Sequence, residues 1–567
     1  MLSRPLRECL IASEPSLLEA VAQLWGVEDL PDRRRRAADV LAEQLLDADE
    51  LERVWSILSA DEQDALATLL KEEGAIPWTT FTRRWGEVRT MGPGRMARER
   101  PWEAPVSPAE RLWYWGLVFR LPAQGPTGLH DVAFLPPDLA DILPARPTEP
   151  TLSLPPYSTP PIVRPASAHL LDDGCTLLAY LQTHPVETGP EEAWPTVDDT
   201  ALIRRLRNPD PDRLALLHHL ADQLDWLRRD AAGHLRPTPG QATEWLEAPT
   251  ATQRSALARA WRDDPAWNDL WHVTGLRPDD TGSWRNDPLL TRTNFLRNLA
   301  ACPAGEWIGL DDVVAAIKEA DPDFQRPDGN YSSWYIRDAT TGAYLSGFEA
   351  WEAVEGALIR TYLTGPLFWL GMVDLGAKEA DGPPVAFRIT PAGAAFLNLA
   401  EAEPSAADAE KTPFVVRPDL TVHAPAARRY ERFQLNRIAD WVRTGDPYVY
   451  RLTAGSLERA QEERIALERV ITFLQEVTGG DLPHAAQVAL QRWGTHGTEV
   501  TLERAVVLQV RDEETMRQLQ EDPAIRRTIR EVVGPRTAMV AAGAWPRLRQ
   551  MLVSAGYLPD IVELEAL

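Results

Sequence analysis

FVVRPDLTVHAPAARRYERFQLNRIADWVRTGDPYVYRLTAGSLERA, residues 414–460, opens the stretch that decides the fold class. Residues 414–424 alternate apolar and polar side chains, a strand reading interrupted by Pro418, which lacks the N–H a ladder needs. Residues 427–443 read as one arginine-studded helix, and YVYRL (448–452) leads into a helix opened by Thr453 and Ser456. Further on, VTLERAVVLQVRD (500–512) is β-rich with Arg504 in its middle. PAIRRTIREVV (523–533) reads as a helix, TAMVAAG (537–543) as a short strand, and WPRLRQMLVSAGYLP (545–559) closes the stretch. Strands and helices mixed with short turns predict an α/β module of one domain's size over 412–567.

Length and composition bound the rest. A chain of 567 residues has room for about three to five domains with ordinary cores. Its 44% apolar and 25% charged residues are those of a globular protein. Cys9, Cys175 and Cys302 are odd in number and far apart; no disulfide framework or CxxC metal site is expected, and a reducing cytoplasm fits. Residues 1–25 lack the apolar core of a signal peptide, and no apolar run approaches the roughly 18 residues of a membrane helix. A net charge of −25 argues against indiscriminate coating of nucleic acid while leaving room for local basic patches. Only Lys71, Lys318, Lys378 and Lys411 of the 59 basic residues are lysine. Base composition explains that bias unless the arginines cluster, as phosphate forks would.

Upstream, the chain repeats one order of elements. Residues 1–145 carry apolar residues at helical spacing in 17–27 and 33–47, with Ser59 and Asp61 placed as caps. A short helix follows at IPWTTFTRRWG (76–86). The glycine- and proline-containing segment 88–105 reads as irregular, and a further helix and ribbon complete the region. Residues 146–167 are proline-rich, a linker or an extended strap. Residues 168–289 and 290–402 repeat helix, helix, helix and ribbon. LRPTPGQATEWL (235–246) and FRITPAGAAFLN (387–398) share strand, Thr-Pro, helix, the form of a wing strand passing into a closing helix. The predicted architecture is mainly α with α+β parts: winged-helix-like modules in series, then the terminal α/β domain. A polar linker, 401–413, precedes that domain.

The phrases FVVRPDLTVHAP, YRLTAGSLERA, ITFLQEVTGGDLPHAAQVALQRW, AVVLQVRDEETMRQLQEDP and MLVSAGYLP resemble, in that order, the helicase-associated domain at the N-terminus of XPB-type DNA helicases. Bacteria carry that domain in proteins with no motor attached, and residues 307–397 resemble the same bacterial proteins. The resemblance implies a fold and an association with DNA transactions. It rests on core and turn residues and implies no catalytic set.

Chemistry is hard to find in the residues themselves. A P-loop needs lysine directly after glycine, so that its ammonium reaches the β- and γ-phosphates; the residues before the four lysines are Leu70, Ile317, Ala377 and Glu410. The ten histidines show no HExxH spacing, and His218–His219 read as packing or surface residues. Asp172–Asp173 and Asp311–Asp312 precede helical runs, where they favour the helix dipole. No GxSxG elbow is present. Neither an enzyme activity nor a cofactor is expected.

Nucleic-acid contact has more support. Residues 83–100 carry Arg83, Arg84, Arg89, Arg95, Arg98 and Arg100 against Glu87 and Glu99, where a winged helix would present its recognition helix and following loop. Arg204, Arg205 and Arg207 are read on a second module's helix. Arg428, Arg429, Arg432 and Arg437 share roughly one helix face, and Arg526, Arg527 and Arg530 form a third group. Each set has a plainer reading as solvated charge. The aromatic insertion 325–347 offers rings for base stacking or for a protein partner, or simply packs on its own module. The expected function is a DNA-associated accessory protein without enzyme activity, in repair, transcription or genome maintenance. The alternative is a scaffold that docks a separate helicase or nuclease without touching DNA.

Overall fold

The computed structural model describes residues 4–125, 128–144, 152–187, 201–279, 281–282, 284–399, 412–480, 482–501 and 505–562. About 49% of the described residues are helical and 15% are strand, the strand confined to small antiparallel sheets, so the protein is mainly α with α+β parts. Packing divides it into two compact units. One comprises Met1–Val416, Leu420–Leu452 and Val477–Gly479; the other comprises Arg417–Asp419, Thr453–Glu476 and Gly480–Leu567.

In the first unit the N-terminal helices Leu6–Ala12, Pro15–Leu24, Arg34–Leu45, Ala48–Ile57 and Ala60–Lys71 bury one apolar stripe each into a common core. Ser59 caps the last of these in a capping box with Glu62, whereas Asp61 sits in the first turn. A three-stranded sheet follows, ordered Ala75–Pro77, Gly128–Phe134, Phe119–Gly125. Segment 88–105 is not irregular throughout: Pro93–Glu99 is a helix. Pro93 starts it, and Arg95, Met96, Ala97, Arg98 and Glu99 are good helix formers, with Met96 as its buried anchor.

Residues 152–433 share a second core. The proline-rich segment joins it as a strap, because Ile162–Arg164 is the edge strand of a four-stranded sheet ordered Ile162–Arg164, Val373–Ala377, Pro384–Ile389, Trp307–Gly309. The two Thr-Pro phrases part company. Thr390 caps the helix Pro391–Phe396, with Pro391 at its first position, but Gly240 at φ +97° delays the helix Gln241–Glu247 past Pro239. Arg204, Arg205 and Arg207 do not lie on a helix: the described helical residues end at 203. Bonds from Arg205 N–H to the Leu202 carbonyl and from Leu206 N–H to the Ile203 carbonyl tighten the chain into a turn.

The expected strand across Pro418 is a hairpin instead. Val415–Val416 pairs antiparallel with Thr421–Ala424, and Leu420 takes a left-handed φ of +64° in the turn. The arginine-rich helix is only Arg429–Leu435; Asp440–Arg443 is a strand pairing with Tyr448–Arg451, where the chain supplies Trp441 and Val442. Thr453 and Ser456 form the capping box of Ala454–Glu462, as their spacing predicts. In the second unit, PAIRRTIREVV is a helix only over Pro523–Arg526. Ile529–Gly534 is a strand, consistent with β-branched Ile529, Val532 and Val533. With Ala505–Gln509 and Thr537–Ala541 it makes a three-stranded sheet with the last of these central. Val506 and Val540 face a small core with Leu519, Ile525, Leu548 and Leu552 of the neighbouring helices. Arg504 and most of 401–413 lie outside the described residues.

Candidate nucleic-acid interface

Arg83 and Arg84 lie on the helix Trp78–Trp85, which buries Phe81 and Trp85 and ends at Gly86, φ +92°. That burial turns Arg83 towards a loop of the same unit. Its guanidinium lies 2.6 Å from Asp323 Oδ2 and stacks on Tyr331 and Phe348 at 5.1 and 4.7 Å. The Thr79 hydroxyl donates to the Asp328 carbonyl at 2.7 Å, and the Thr80 hydroxyl to Asp323. Arg84 reaches Asp64 at 3.0 Å. Arg89 forks onto Glu110, with Nε and an Nη at 2.8 Å from its two oxygens. Glu110 is fully buried and also accepts the N–H groups of Arg89 and Val106; its hydrogen bonds hold the Arg89 guanidinium above its ordinary pKa. This fork organises the loop. Arg95 pairs with Glu99 one turn on, at 2.7 Å, and Arg100, at a left-handed φ of +46°, pairs with Glu103 at 2.8 Å. Arg98 donates to the Gly94 carbonyl at 3.1 Å. Arg84, Arg95 and Arg98 are exposed.

In the second set only Arg204 is exposed. Arg205 stacks between Tyr180 and Trp441, at 4.9 and 5.3 Å from the ring centres. Arg207 meets His169 Nε2 at 3.0 Å, and its N–H donates to Asp173 at 2.6 Å. Two arginines of the 428–437 group are not surface residues at all. Arg429 is 3% exposed, its Nε and an Nη at 2.9 and 2.8 Å from Asp172, with Gln253 at 2.9 Å. Arg432 is 1% exposed and lies 3.4 Å from the Tyr448 ring centre. Of the four, only Arg429 and Arg432 lie on the helix Arg429–Leu435, and they look inward onto the helix His169–Thr183. A cleft of about 400 Å³ opens beside this region, lined by Arg228, Asp230, Arg236, Phe433, Gln434 and Arg437 among others.

The aromatic insertion divides. Arg326 is sandwiched by Tyr331 and Trp334 at 4.9 and 4.1 Å and pairs with buried Glu355 at 2.6 Å, so these rings pack their own module. Tyr335 and Tyr344 are exposed. Within the second unit the segment 523–549 presents the opposite balance. Arg526, Arg527, Arg530, Arg536, Arg547 and Arg549 are all exposed, and Glu531 is the sole acid between 523 and 549. Arg536, Arg547 and Arg549 escape a reading helix by helix; a charge count over that window finds them.

Other chemistries find little to stand on. Among the described residues no group of three His, Cys, Asp or Glu side chains comes together as a metal site. His219 pairs with Asp264, and burial pushes His218 down to about 4. The three cysteines are buried and free, with burial pushing Cys9 and Cys302 up to about 12, away from thiolate reactivity. No described helix is long and apolar enough to cross a membrane.

Residues 414–532 match a family model described as the helicase conserved C-terminal domain. Residues 414–532 therefore resemble a helicase-associated domain, and they are distributed over both units. Against curated proteins the chain has no match.

Proposed function

We propose that this protein is a nucleic-acid-associated accessory protein without enzyme activity, acting in the cytoplasm in DNA repair, transcription or genome maintenance. In this reading its helicase-associated domain is of the XPB type and works without a motor in the same chain. The observation that carries it is the helicase-domain match over 414–532 in a sequence with no Gly-Lys pair for a P-loop. Winged-helix-like modules upstream would bring Arg84, Arg95, Arg98 and Arg204, the exposed members of the N-terminal sets, to the phosphate backbone.

Titration of a labelled duplex and a labelled single strand at two salt concentrations tests the association. Binding at roughly micromolar Kd or tighter, weakening with salt, is expected; no binding to either strand form overturns it. An ATPase assay of the purified protein is expected to be blank. The rival reading, a scaffold docking a separate helicase or nuclease, draws on the internal neutralisation of Arg83 by Asp323 and of Arg89 by Glu110. Absence of DNA binding would favour it.

A further inference from the structure

We infer that the second unit grips the phosphate backbone of a nucleic acid through Arg526, Arg527, Arg547 and Arg549, flanked by Arg530 and Arg536; this rests on the reading above and assigns its contact surface. The first support is charge. Six arginines against Glu531 within 523–549 give a local excess of five positive charges in a chain whose net charge is −25. Such a reversal concentrates positive potential where the rest of the molecule would repel a polyanion.

The second support is availability. In the first unit the arginines marked by the sequence are largely committed: Arg83 to Asp323, Arg89 to Glu110 and Arg429 to Asp172. In the second unit three acids just upstream are themselves committed. Asp512 accepts from Thr515 and Arg511, Glu514 from Arg517, and Asp522 from the N–H groups of Ala524 and Ile525. Among the described residues no ion pair engages Arg526, Arg527, Arg547 or Arg549, and all four are exposed.

The third support is placement. Ile525 of the one-turn helix Pro523–Arg526 shares a core with Leu548 and Leu552 of the helix Trp545–Ser554, and the two helices pack together. Arg526 and Arg527 therefore lie alongside the segment that carries Arg547 and Arg549. Arg530 follows on the strand Ile529–Gly534, and Arg536 stands in the turn after it. Planar guanidinium forks suit phosphate oxygens and read no base edge in this arrangement, so the surface is expected to bind without regard to sequence.

The test uses the full chain, with Arg526, Arg527, Arg547 and Arg549 all changed to Gln, against labelled duplex and single-stranded DNA over a salt series. If all six arginines meet phosphates, the slope of log K against log salt for a duplex is about −5, falling to about −2 in the variant. An Arg→Lys version of the same four sites is expected to keep most of the slope, because phosphate contact needs the charge. Polyglutamate is expected to compete poorly. Should the wild type bind DNA while the Gln variant keeps its full slope, the surface is wrong and the accessory function stands. Should polyglutamate displace DNA at equal charge, the partner is an acidic protein segment and the inference fails. No DNA binding by the wild type removes both readings. Hydrogen exchange on the DNA-bound wild type needs no variant to fold: protection over 523–536 and 545–552 supports the surface, and protection confined to the first unit overturns it.

Discussion

Arg429 shows how a basic residue can be read in opposite ways. In sequence it is one of four arginines on a helix; in the fold it is a buried ion whose fork satisfies Asp172, with Gln253 filling a further donor position. Removing one member of a buried pair strands the other, typically at roughly 3–5 kcal/mol. Arg429→Met is expected at the lower end of that range, since Arg432 remains 3.8 Å from Asp172. Chemical denaturation measures it, and a loss below about 1 kcal/mol would contradict the pairing. Asp512 gives a pH-dependent counterpart. The Thr515 hydroxyl and N–H donate to its carboxylate at 2.7 and 2.9 Å, capping the helix Glu513–Glu521 and holding the carboxyl down from 3.8 to about 2. Because the folded value lies below the unfolded one, the cap's contribution is complete above about pH 4 and is lost as pH falls through about 2. A carboxyl NMR titration of Asp512 with a midpoint near 4 would refute the cap.

The helix Trp78–Trp85 is the element whose role changes most. As a bare amphipathic segment it suits the recognition position of a winged helix, yet Thr79, Thr80 and Arg83 all engage residues 323–331. Asp323→Ala is expected to raise hydrogen exchange across 78–85 with the core helices unchanged; unchanged exchange there would show the dock to be incidental. Thr453→Ala removes a capping box and is expected to destabilise the helix Ala454–Glu462 by about 1 kcal/mol, read by exchange at 454–462. These elements also mark what local sequence can convey. The capping boxes, the Thr390-Pro391 start and the mainly α pattern with small ribbons were legible, because each depends on residues within a turn of one another. Residues 414–424 read as a strand interrupted by Pro418, and not as a hairpin, because nothing local announces that Leu420 will take a positive φ. Residues 523–533 read as one helix because Arg526 and Arg527 extend the helical pattern into a β-branched run. The partners of Arg83, Arg89 and Arg429 lie 240, 21 and 257 residues away, a distance no spacing rule spans.

For the molecule as a whole, the charge distribution decides the functional reading. In an acidic chain whose Arg83, Arg89 and Arg429 are paired internally, the segment 523–549 carries six exposed arginines against one acid. DNA association is then expected to be salt-sensitive, indifferent to sequence, and governed more by the second unit than by residues 83–100. The deciding measurement is the salt dependence of duplex binding by three full-length proteins: the wild type, the 526/527/547/549 Arg→Gln variant, and an Arg84/Arg95/Arg98/Arg204→Gln variant. The predicted result is a slope of about −5 for the wild type, about −2 for the first variant, and a slope close to that of the wild type for the second. A wild type that binds no DNA, or a first variant that binds as the wild type does, would contradict it.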